Sequence, residues 1–332
     1  MRKLNYLNIM LITILFYSCG PDEAGCMDEN AINYNIDAVE DDGSCEYDLF
    51  IGPDVITVDP VKINRKVLVI GIDGFRSDVL TSQITPFMHN MTLARNGYYN
   101  TSHIVEDITY SGPNWSSILT GVNQYKHNVL NNEFENDNYS TYPHFFKYIE
   151  TAQSNIKTAS IVNWIPINTY VLNQNIDYSP VQPINDATVL SEAQNILSDS
   201  NADVLFLQFD ELDVVGHAHG FNSNVNEYAN MANLIDSHVE NLLEIIDNKR
   251  SLGEDWLVLI VSDHGGEGTS HSDGNDPNVN QTIFFAEHSD IEFQASCCYV
   301  SNQADIASTV LNFLGISSQE YNFNTDGQSV VL

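Results

Sequence analysis

From Lys66 to the end of the chain, short apolar runs alternate with longer segments. In the longer segments apolar residues recur every three or four positions. Continuous runs are typical of buried parallel strands, and the periodic segments are typical of helices. The predicted strands are Val67–Asp73, Thr158–Val162, Val204–Asp210, Leu257–Asp263 and Thr282–Ala286. The predicted helices lie near Thr85–Asn96, Ser191–Leu197, Asn226–Ile246 and Gln303–Leu314. This order predicts an α/β fold, a three-layer α/β/α sandwich with a mainly parallel central sheet.

Three of the predicted strands end in acidic residues. Asp73 closes the first, Asp210 closes another with Asp213 just beyond it, and Asp263 closes a third. Functional groups of open α/β sheets gather at the carboxyl ends of the strands. We therefore expect these carboxylates to meet at one edge of the sheet.

The first apolar run has a different character. Arg2 and Lys3 precede an apolar stretch from Leu7 to Tyr17, which is too short for a spanning helix and predicts an export signal over 1–18. The following Ser18-Cys19 resembles the cleavage and lipidation site of bacterial lipoproteins, which implies a lipid on Cys19 and a place at the bacterial cell envelope or surface. A plain secretory signal and a soluble periplasmic or secreted protein is the alternative.

Residues 19–60 are acidic and contain too few apolar residues for a core of their own, so we expect a tether or a small module ahead of a single domain at 61–332. Cys26 and Cys45 bound this segment and are natural disulfide partners in an exported protein. Its carboxylates are candidate ligands for Ca²⁺, with a solvated tether as the alternative. The adjacent Cys297 and Cys298 are either reduced or joined to each other.

Acidic side chains outnumber basic ones by 45 to 12, which gives a formal charge of -33. Such a surface repels nucleic-acid backbones and anionic membranes, so neither is an expected partner of the protein at large. A small phosphate ester would be repelled as well unless bound cations reversed the potential locally. The composition therefore favours a phosphate site built on metal ions over one built on arginines.

Two segments carry the residue types that bind transition metals. In VSDHGGEGTSH a strand runs into Asp263 and His264, with His271 seven residues on; a capping carboxylate beside surface histidines is the alternative. In QFDELDVVGHAHG, Asp213 and His217 stand four residues apart, so one helical turn brings both to one ion. Neighbouring Asp210 and His219 compete for these roles.

A third segment, TYSGPNWSSILTG, places Ser111 just before a predicted helix that starts at about Asn114. Pro113 suits a first helical turn, and the open amides of a helix start favour anions. Ser111 is therefore expected where a phosphoryl group binds, beside the side-chain amide of Asn114.

Taken in order, VIGIDG, SGPNW, D-x-x-x-H and SDHGG resemble the alkaline phosphatase superfamily, closest to its type I phosphodiesterase/nucleotide pyrophosphatase branch. The resemblance implies two divalent metal ions, with zinc favoured over manganese and iron. It assigns Asp213, His217 and His271 to one ion, with His219 and His288 as substitutes for His271. It assigns Asp73, Asp263 and His264 to the other ion, with Ser111 bridging toward it.

The implied reaction is hydrolysis of a phosphodiester or pyrophosphate bond through a phosphoseryl intermediate, with Asn114 stabilising the phosphoryl oxygens. Alternatives are a phosphomonoesterase on the same site and a non-catalytic, metal-binding surface lipoprotein. A sulfatase is disfavoured because Trp115 stands where the sulfatase motif has Arg. Aromatic residues that could stack on a substrate, or belong to the core, are Tyr110, Trp115, Trp164 and Tyr170.

Overall fold

The fold is taken from a computed structural model. It describes residues 64–332, with the exception of 154, 174–175, 181–183, 296–298 and 317–324. Nearer the N-terminus it describes residues 24, 25, 27, 35, 38–41 and 44. The chain divides into two units, Met1–Ile51 and Gly52–Leu332. In the first unit β1 (Ala24–Gly25) pairs in parallel with β2 (Glu40–Asp41). The export signal, the boundary at residue 60 and all five cysteines lie outside the described residues.

The second unit is built on a six-stranded sheet, whose strands are β3 (Arg65–Ile72), β4 (Gly97–Ile104), β5 (Thr158–Val162), β6 (Val204–Phe209), β7 (Asp255–Val261) and β8 (Gln281–Glu287). Their order across the sheet is β4-β8-β7-β3-β6-β5. All five predicted strands are present, and β3, β5, β6 and β7 run parallel. The fold is the predicted α/β sandwich, with antiparallel pairing at one side of the sheet.

That antiparallel side was not predicted. Strand β8 runs antiparallel to β7 and to β4, because only the single turn α8 (Pro277–Asn280) intervenes between β7 and β8 instead of a crossover helix. Strand β4, with the sequence GYYNTSHI, was missed since it lies at the sheet edge, is partly exposed and contains an irregularity between Asn100 and His103.

Helices cover both faces of the sheet. Besides α8 they are α1 (Pro86–Ala94), α2 (Ser111–Thr120), α3 (Gln124–His127), α4 (Phe145–Ala152), α5 (Asp186–Ser198), α6 (Glu211–His219), α7 (Asn226–Ser251) and α9 (Asp305–Phe313), with a 3₁₀ turn at Ser77–Val79 and a π-helical turn at Ile167–Val171. In the described part of the chain, no helix is both long enough and apolar enough to cross a bilayer.

Alternate residues of β3 enter two separate cores. Val67 and Val69 pack with α2, α4 and α9 on one face, while Leu68 and Ile70 pack with α1, α5 and α7 on the other. This two-sided burial explains why the strand reads as one continuous apolar run. It also confirms the three-layer arrangement.

Candidate active site

Strands β7, β3 and β6 are neighbours, so the acidic residues that follow them meet at one edge of the sheet. Asp73, which follows β3, is buried, and its Oδ2 accepts hydrogen bonds from Trp115 Nε1 at 3.0 Å and Gln208 Nε2 at 3.2 Å. Its Oδ1 has no hydrogen-bond partner among the described residues and lies 3.5 Å from His264 Nε2. One oxygen is held in place and the other faces the site.

Asp263 repeats this arrangement. Its Oδ1 accepts from the backbone amides of Gly74 and His264 at 3.1 and 3.0 Å, while its buried Oδ2, without a hydrogen-bond partner in the described chain, lies 3.3 Å from His264 Nε2. Gly74 has φ of 68°, and a Cβ there would lie 3.0 Å from Asp213 Oδ1. Position 74 therefore requires glycine, because the backbone there has a positive φ and passes between the carboxylates of Asp213 and Asp263.

Three histidines complete the cluster, and each has its Nδ1 within hydrogen-bond distance of a backbone carbonyl. These contacts join His217 to Thr269, His264 to Gly265 and His271 to Thr109, at 2.8–2.9 Å. A carbonyl only accepts, so Nδ1 carries the proton and Nε2 presents a lone pair. Metal-binding histidines are commonly oriented in this way.

The predicted ligands fall into two overlapping sets. The donor atoms of Asp213, His217 and His271 lie within 4.8 Å of one another, and those of Asp73, Asp213 and His264 do so as well. The first set is the one that the resemblance assigns to one ion. In the second set Asp213 joins Asp73 and His264, and Asp263 reaches the same place through its contact with His264 Nε2.

Burial shapes the protonation of these groups. It raises the pKa of Asp73 well above its usual value, with the charge of Asp263 adding to the effect, and raises the pKa of both Asp213 and Asp263 to about 7. It lowers the pKa of His264 and His271 to about 3. Buried carboxylate oxygens that lack a hydrogen-bond partner in the described part of the chain lie beside neutral imidazoles here, and such a donor set fits divalent cations of the zinc type.

Ser111 lies beside this cluster. It is the first residue of α2, three residues before the predicted start of the helix, and its Oγ is 3.3 Å from His264 Nε2. Only 7% of the residue is exposed. The structure thus places the predicted nucleophile next to one of the predicted ligands, at a helix start.

The prediction for Asn114 is wrong in its geometry. Its side chain is fully buried: Oδ1 accepts from the Glu106 amide, and Nδ2 donates to the carbonyl oxygens of Ile108 and Tyr110. Both of its amide hydrogens are thereby used within the loop that leads into α2. Asn114 therefore holds that loop in place and is not available to a phosphoryl group.

A different asparagine lies at the helix start. Asn132 is exposed, and its side-chain Oδ1 accepts the backbone amide hydrogen of Gly112, the residue after Ser111, at 2.8 Å. The sequence offers no signal for this contact, because Asn132 is 20 positions from Gly112, in a loop between α3 and α4. Asn132 is therefore the residue at the start of α2 that the sequence analysis did not identify.

The two substitutes for His271 lie elsewhere. His288 Nε2 contacts Asp255 Oδ1 at 2.5 Å, and Asp255 begins β7, so His288 is at the opposite edge of the sheet. His219 is exposed at the end of α6 and joins neither ligand set of the described residues. His271 is thus the histidine that completes the first set.

The aromatic residues divide between core and surface. Trp115 is fully buried against Phe206, so it belongs to the core, the second of the two alternatives given for it. Tyr110 and Tyr170 are 43% and 46% exposed. Tyr170 stacks on Phe134 with ring centroids 5.0 Å apart, and Trp164 packs on the same Phe134.

Comparison with known families agrees with this geometry. The sequence model of the family described as type I phosphodiesterase / nucleotide pyrophosphatase matches residues 67–312, a stretch that contains every residue of the cluster. The chain belongs to this family. It is accordingly a member of the alkaline phosphatase superfamily, as the motifs predicted.

Relatives within the family are distant. Bis(5'-adenosyl)-triphosphatase ENPP4 of Bos taurus is 25% identical over 228 residues, which cover 60% of this chain and 47% of that protein. The protein of the same name from Homo sapiens is 24% identical over 225 residues, with the same coverage. The chain thus spans about half the length of the curated relatives that it matches.

Solved structures share the fold at low identity. Inactive murine ectonucleotide pyrophosphatase/phosphodiesterase 5 in complex with AMP matches with a TM-score of 0.62 at 14% identity, covering 81% of this chain and 100% of that chain. The periplasmic domain of EcEptC from Escherichia coli, a complex with Zn, matches with a TM-score of 0.56 at 15% identity, covering 80% and 92%.

In the metal-free protein, Asp213 and Asp263 are expected to reduce stability as the pH rises from about 4 to about 7, against the opposite contribution of His264 and His271, whose pKa burial lowers to about 3. Folding raises the pKa of Asp213 and Asp263 to about 7 from a usual 3.8, so within this range the unfolded chain releases protons that the folded chain retains. Bound cations favour the ionised carboxylates, so the metal-loaded protein should gain stability over the same range. Thermal melting with chelator and with zinc measures both, and parallel profiles would contradict the cluster's role.

Proposed function

We propose that the chain hydrolyses phosphodiester or pyrophosphate bonds of a small phosphate ester, with Ser111 as nucleophile and two divalent cations as cofactors. The observation that carries this proposal is the convergence, beside the Ser111 hydroxyl, of imidazole lone pairs and of carboxylate oxygens that have no hydrogen-bond partner within the described ranges. Family membership supports it, as do the name bis(5'-adenosyl)-triphosphatase of the ENPP4 relatives and the AMP complex of the murine structure.

The residues that would hold the cations are those of the first ligand set and, for the second ion, those that the resemblance assigns, with Asp213 also close to that position. Asp213, His217 and His271 would hold one, and Asp73, Asp263 and His264 the other. Zinc is the expected ion, because these are nitrogen and oxygen donors and the EcEptC structure contains Zn. When bound, such ions supply Lewis acidity, which lowers the pKa of a nearby hydroxyl or water and neutralises phosphoryl oxygens.

Ser111 then carries out the covalent step. Its hydroxyl proton passes to solvent, Oγ attacks phosphorus, and the bond from phosphorus to the leaving oxygen breaks. This leaves a phosphoseryl ester and releases an alcohol, which takes a proton from solvent, or a phosphate. Attack by water breaks the Oγ–phosphorus bond and restores the serine. His264 contacts Oγ, but burial lowers its pKa to about 3, so it is a poor general base and better suited to be a ligand.

Asn132 takes the role first predicted for Asn114. Its side-chain oxygen is used by the Gly112 amide, so its NH₂ group remains as a donor beside the Ser111 ester. Asn132→Ala should lower kcat for a diester by about tenfold to a hundredfold. Asn131→Ala is the matched control, since that side chain accepts from the Glu133 amide and should be needed far less. Equal activity of the two variants would remove Asn132 from the mechanism.

The proposed reaction is tested by comparing bis-p-nitrophenyl phosphate with p-nitrophenyl phosphate as substrates of the zinc-loaded protein, with a chelator control. A chelator-sensitive preference for the diester is expected. Preference for the monoester would favour the phosphomonoesterase alternative. Inactivity on both would favour a non-catalytic, metal-binding surface lipoprotein.

We also propose, from the sequence alone, that the chain is exported and held at the bacterial cell envelope by a lipid on Cys19. In cells, Cys19→Ser is expected to move the protein from the membrane fraction to the soluble fraction. A variant that stays with the membrane would contradict the anchor. A calcium ion in the acidic segment 19–60 is a separate expectation, tested by calcium binding to that segment in the full chain.

A further inference from the structure

Helix α6 carries two of the three residues proposed for the first ion. Asp213 and His217 stand four residues apart on it, so they share one face and their positions depend on where α6 begins. The carboxylates proposed for the second ion differ, because Asp73 and Asp263 lie just beyond strands β3 and β7 of the central sheet. The first ion therefore depends more than the second on the placement of a helix of nine residues.

The start of α6 is capped from a distant part of the chain. Asp210 precedes the helix, and within the described residues its side chain makes no capping hydrogen bond. Asp186 supplies the cap instead: its Oδ1 accepts from the Asp210 amide at 2.9 Å, and its Oδ2 accepts from the Glu211 amide at 3.1 Å. Amides at a helix start have no partner within the helix, so these two bonds fix the point at which α6 begins.

Asp186 is itself firmly placed. It is the first residue of α5, and only 1% of it is exposed. Its Oδ1 also accepts from Asn163 Nδ2 at 2.8 Å. Burial raises the pKa of Asp186 to about 6, although the hydrogen bonds from the two amides and from Asn163 act in the opposite direction. A buried carboxylate needs such partners, and two of the three lie at the start of α6.

Asn163 connects this cap to a carboxylate proposed for the second ion. It follows β5, and its backbone amide donates to the Gln208 carbonyl at 3.1 Å. The next amide, that of Trp164, donates to Gln208 Oε1 at 2.8 Å, and Gln208 Nε2 donates to Asp73 Oδ2 at 3.2 Å. The start of α6 is thereby linked to Asp73, so the two ligand sets are held relative to each other.

Other contacts hold the rest of α6. His217 Nδ1 contacts the Thr269 carbonyl, and a Cβ on Gly216 would lie 2.3 Å from the Phe221 ring, so the helix packs tightly there. Leu212 is buried in the core. Without the cap, α6 should therefore stay attached to the domain, while its first turn, which contains Asp213, becomes less precisely placed.

We infer that Asp186 is a positioning residue for the first ion. By capping α6, it sets where Asp213 and His217 lie relative to the strand ends, and it contacts neither the ion nor the substrate. The inference rests on the proposed function, in which residues of α6 hold one of two cations. The sequence analysis gave Asp186 no role, because it is 24 positions from Asp210 and no local pattern links the two.

Zinc binding to the full chain, measured by competition with a chromophoric chelator, tests the inference without turnover. Asp186→Ala removes both bonds to α6 and should weaken the affinity for the first ion by about tenfold to a hundredfold. The affinity for the second ion should change far less. Asp186→Asn keeps one acceptor oxygen and should have a smaller effect in the same direction, which keeps the test available should Asp186→Ala not fold.

Two further variants assign the effect. His217→Ala loses a ligand proposed for the first ion alone, so the binding step that it weakens identifies that ion. Asp236→Ala is the matched control, because Asp236 is also buried and its carboxylate caps α1 through the amides of Phe87 and Met88. It should lower the melting temperature, as Asp186→Ala does, and leave both zinc affinities unchanged.

Selective weakening of the first ion in Asp186→Ala is the expected result. Equal weakening of both ions would mean that Asp186 only stabilises the fold. Unchanged binding of both ions would mean that the ligands on α6 do not need the cap. Either of these two results would overturn the inference.

Failure of this inference and failure of the proposed function can be told apart. A wild type that binds two zinc ions and hydrolyses neither nitrophenyl phosphate would defeat the proposed function, while the zinc titration would still decide the role of Asp186. An active wild type whose Asp186→Ala variant binds both ions normally would keep the function and refute the positioning role.

Discussion

Ser111→Ala should reduce kcat for bis-p-nitrophenyl phosphate by about a thousandfold or more, because it removes the atom that attacks phosphorus. The bound zinc should be unchanged, since the ligand sets rest on carboxylates and imidazoles. The fold should also be retained, because among the described residues the Ser111 hydroxyl has one hydrogen-bond contact, that of 3.3 Å with His264, and its loss costs about 1 kcal/mol. Initial rates and metal content of the purified variant measure these effects.

Ser116→Ala is the matched control for this variant. Ser116 lies on the same helix, is fully buried, and donates its hydroxyl to the Gly112 carbonyl, so its loss disturbs α2 without removing a group from the cluster. We expect it to keep most of the activity. If Ser111→Ala were as active as Ser116→Ala, water or another residue would be the nucleophile.

Asp263→Asn is expected to lower both metal content and turnover. The carboxylate is fully buried, and its Oδ1 can still accept from Gly74 and His264 when it becomes an amide oxygen, but the free Oδ2 is replaced by NH₂. Zinc affinity should fall by more than about a hundredfold and kcat should fall with it. Removing a buried charge should leave the metal-free variant at least as stable as the metal-free wild type.

Loss of zinc without loss of stability in the metal-free protein distinguishes a metal ligand from a carboxylate that only stabilises the fold. Asp236 is the matched control, because it is also buried and also accepts from two backbone amides, those of Phe87 and Met88 at the start of α1. Asp236→Asn should lower the melting temperature and keep the zinc. A full complement of zinc in Asp263→Asn would contradict its assignment to the second ion.

The sequence predicted the parts of the fold that depend on local pattern. Strands β3, β5, β6 and β7 are buried on both faces. The sequence of each is therefore a continuous apolar run, which can be recognised as a buried strand. Because parallel strands end at the same edge of a sheet, the residues that follow them could be predicted to lie close together before any contact was known. This is why Asp73 and Asp263 could be placed before the structure was known.

The remaining features depend on tertiary contacts that no local pattern encodes. The antiparallel direction of β8 was not predicted, because it depends on the path of the chain after β7, and β4 is an edge strand that pairs with β8. Asn114 was misplaced because its side chain turns back to the preceding loop, whereas Asn132 reaches the helix start from a distant one.

The stereochemical course at phosphorus tests the central claim, nucleophilic attack by Ser111, most directly. A phosphodiester that is chiral at phosphorus through sulfur substitution is hydrolysed in isotopically labelled water by the zinc-loaded protein, and the configuration of the product is determined. Two successive in-line displacements, first by Ser111 and then by water, predict net retention. Net inversion would mean that water attacks the substrate directly and would contradict the account.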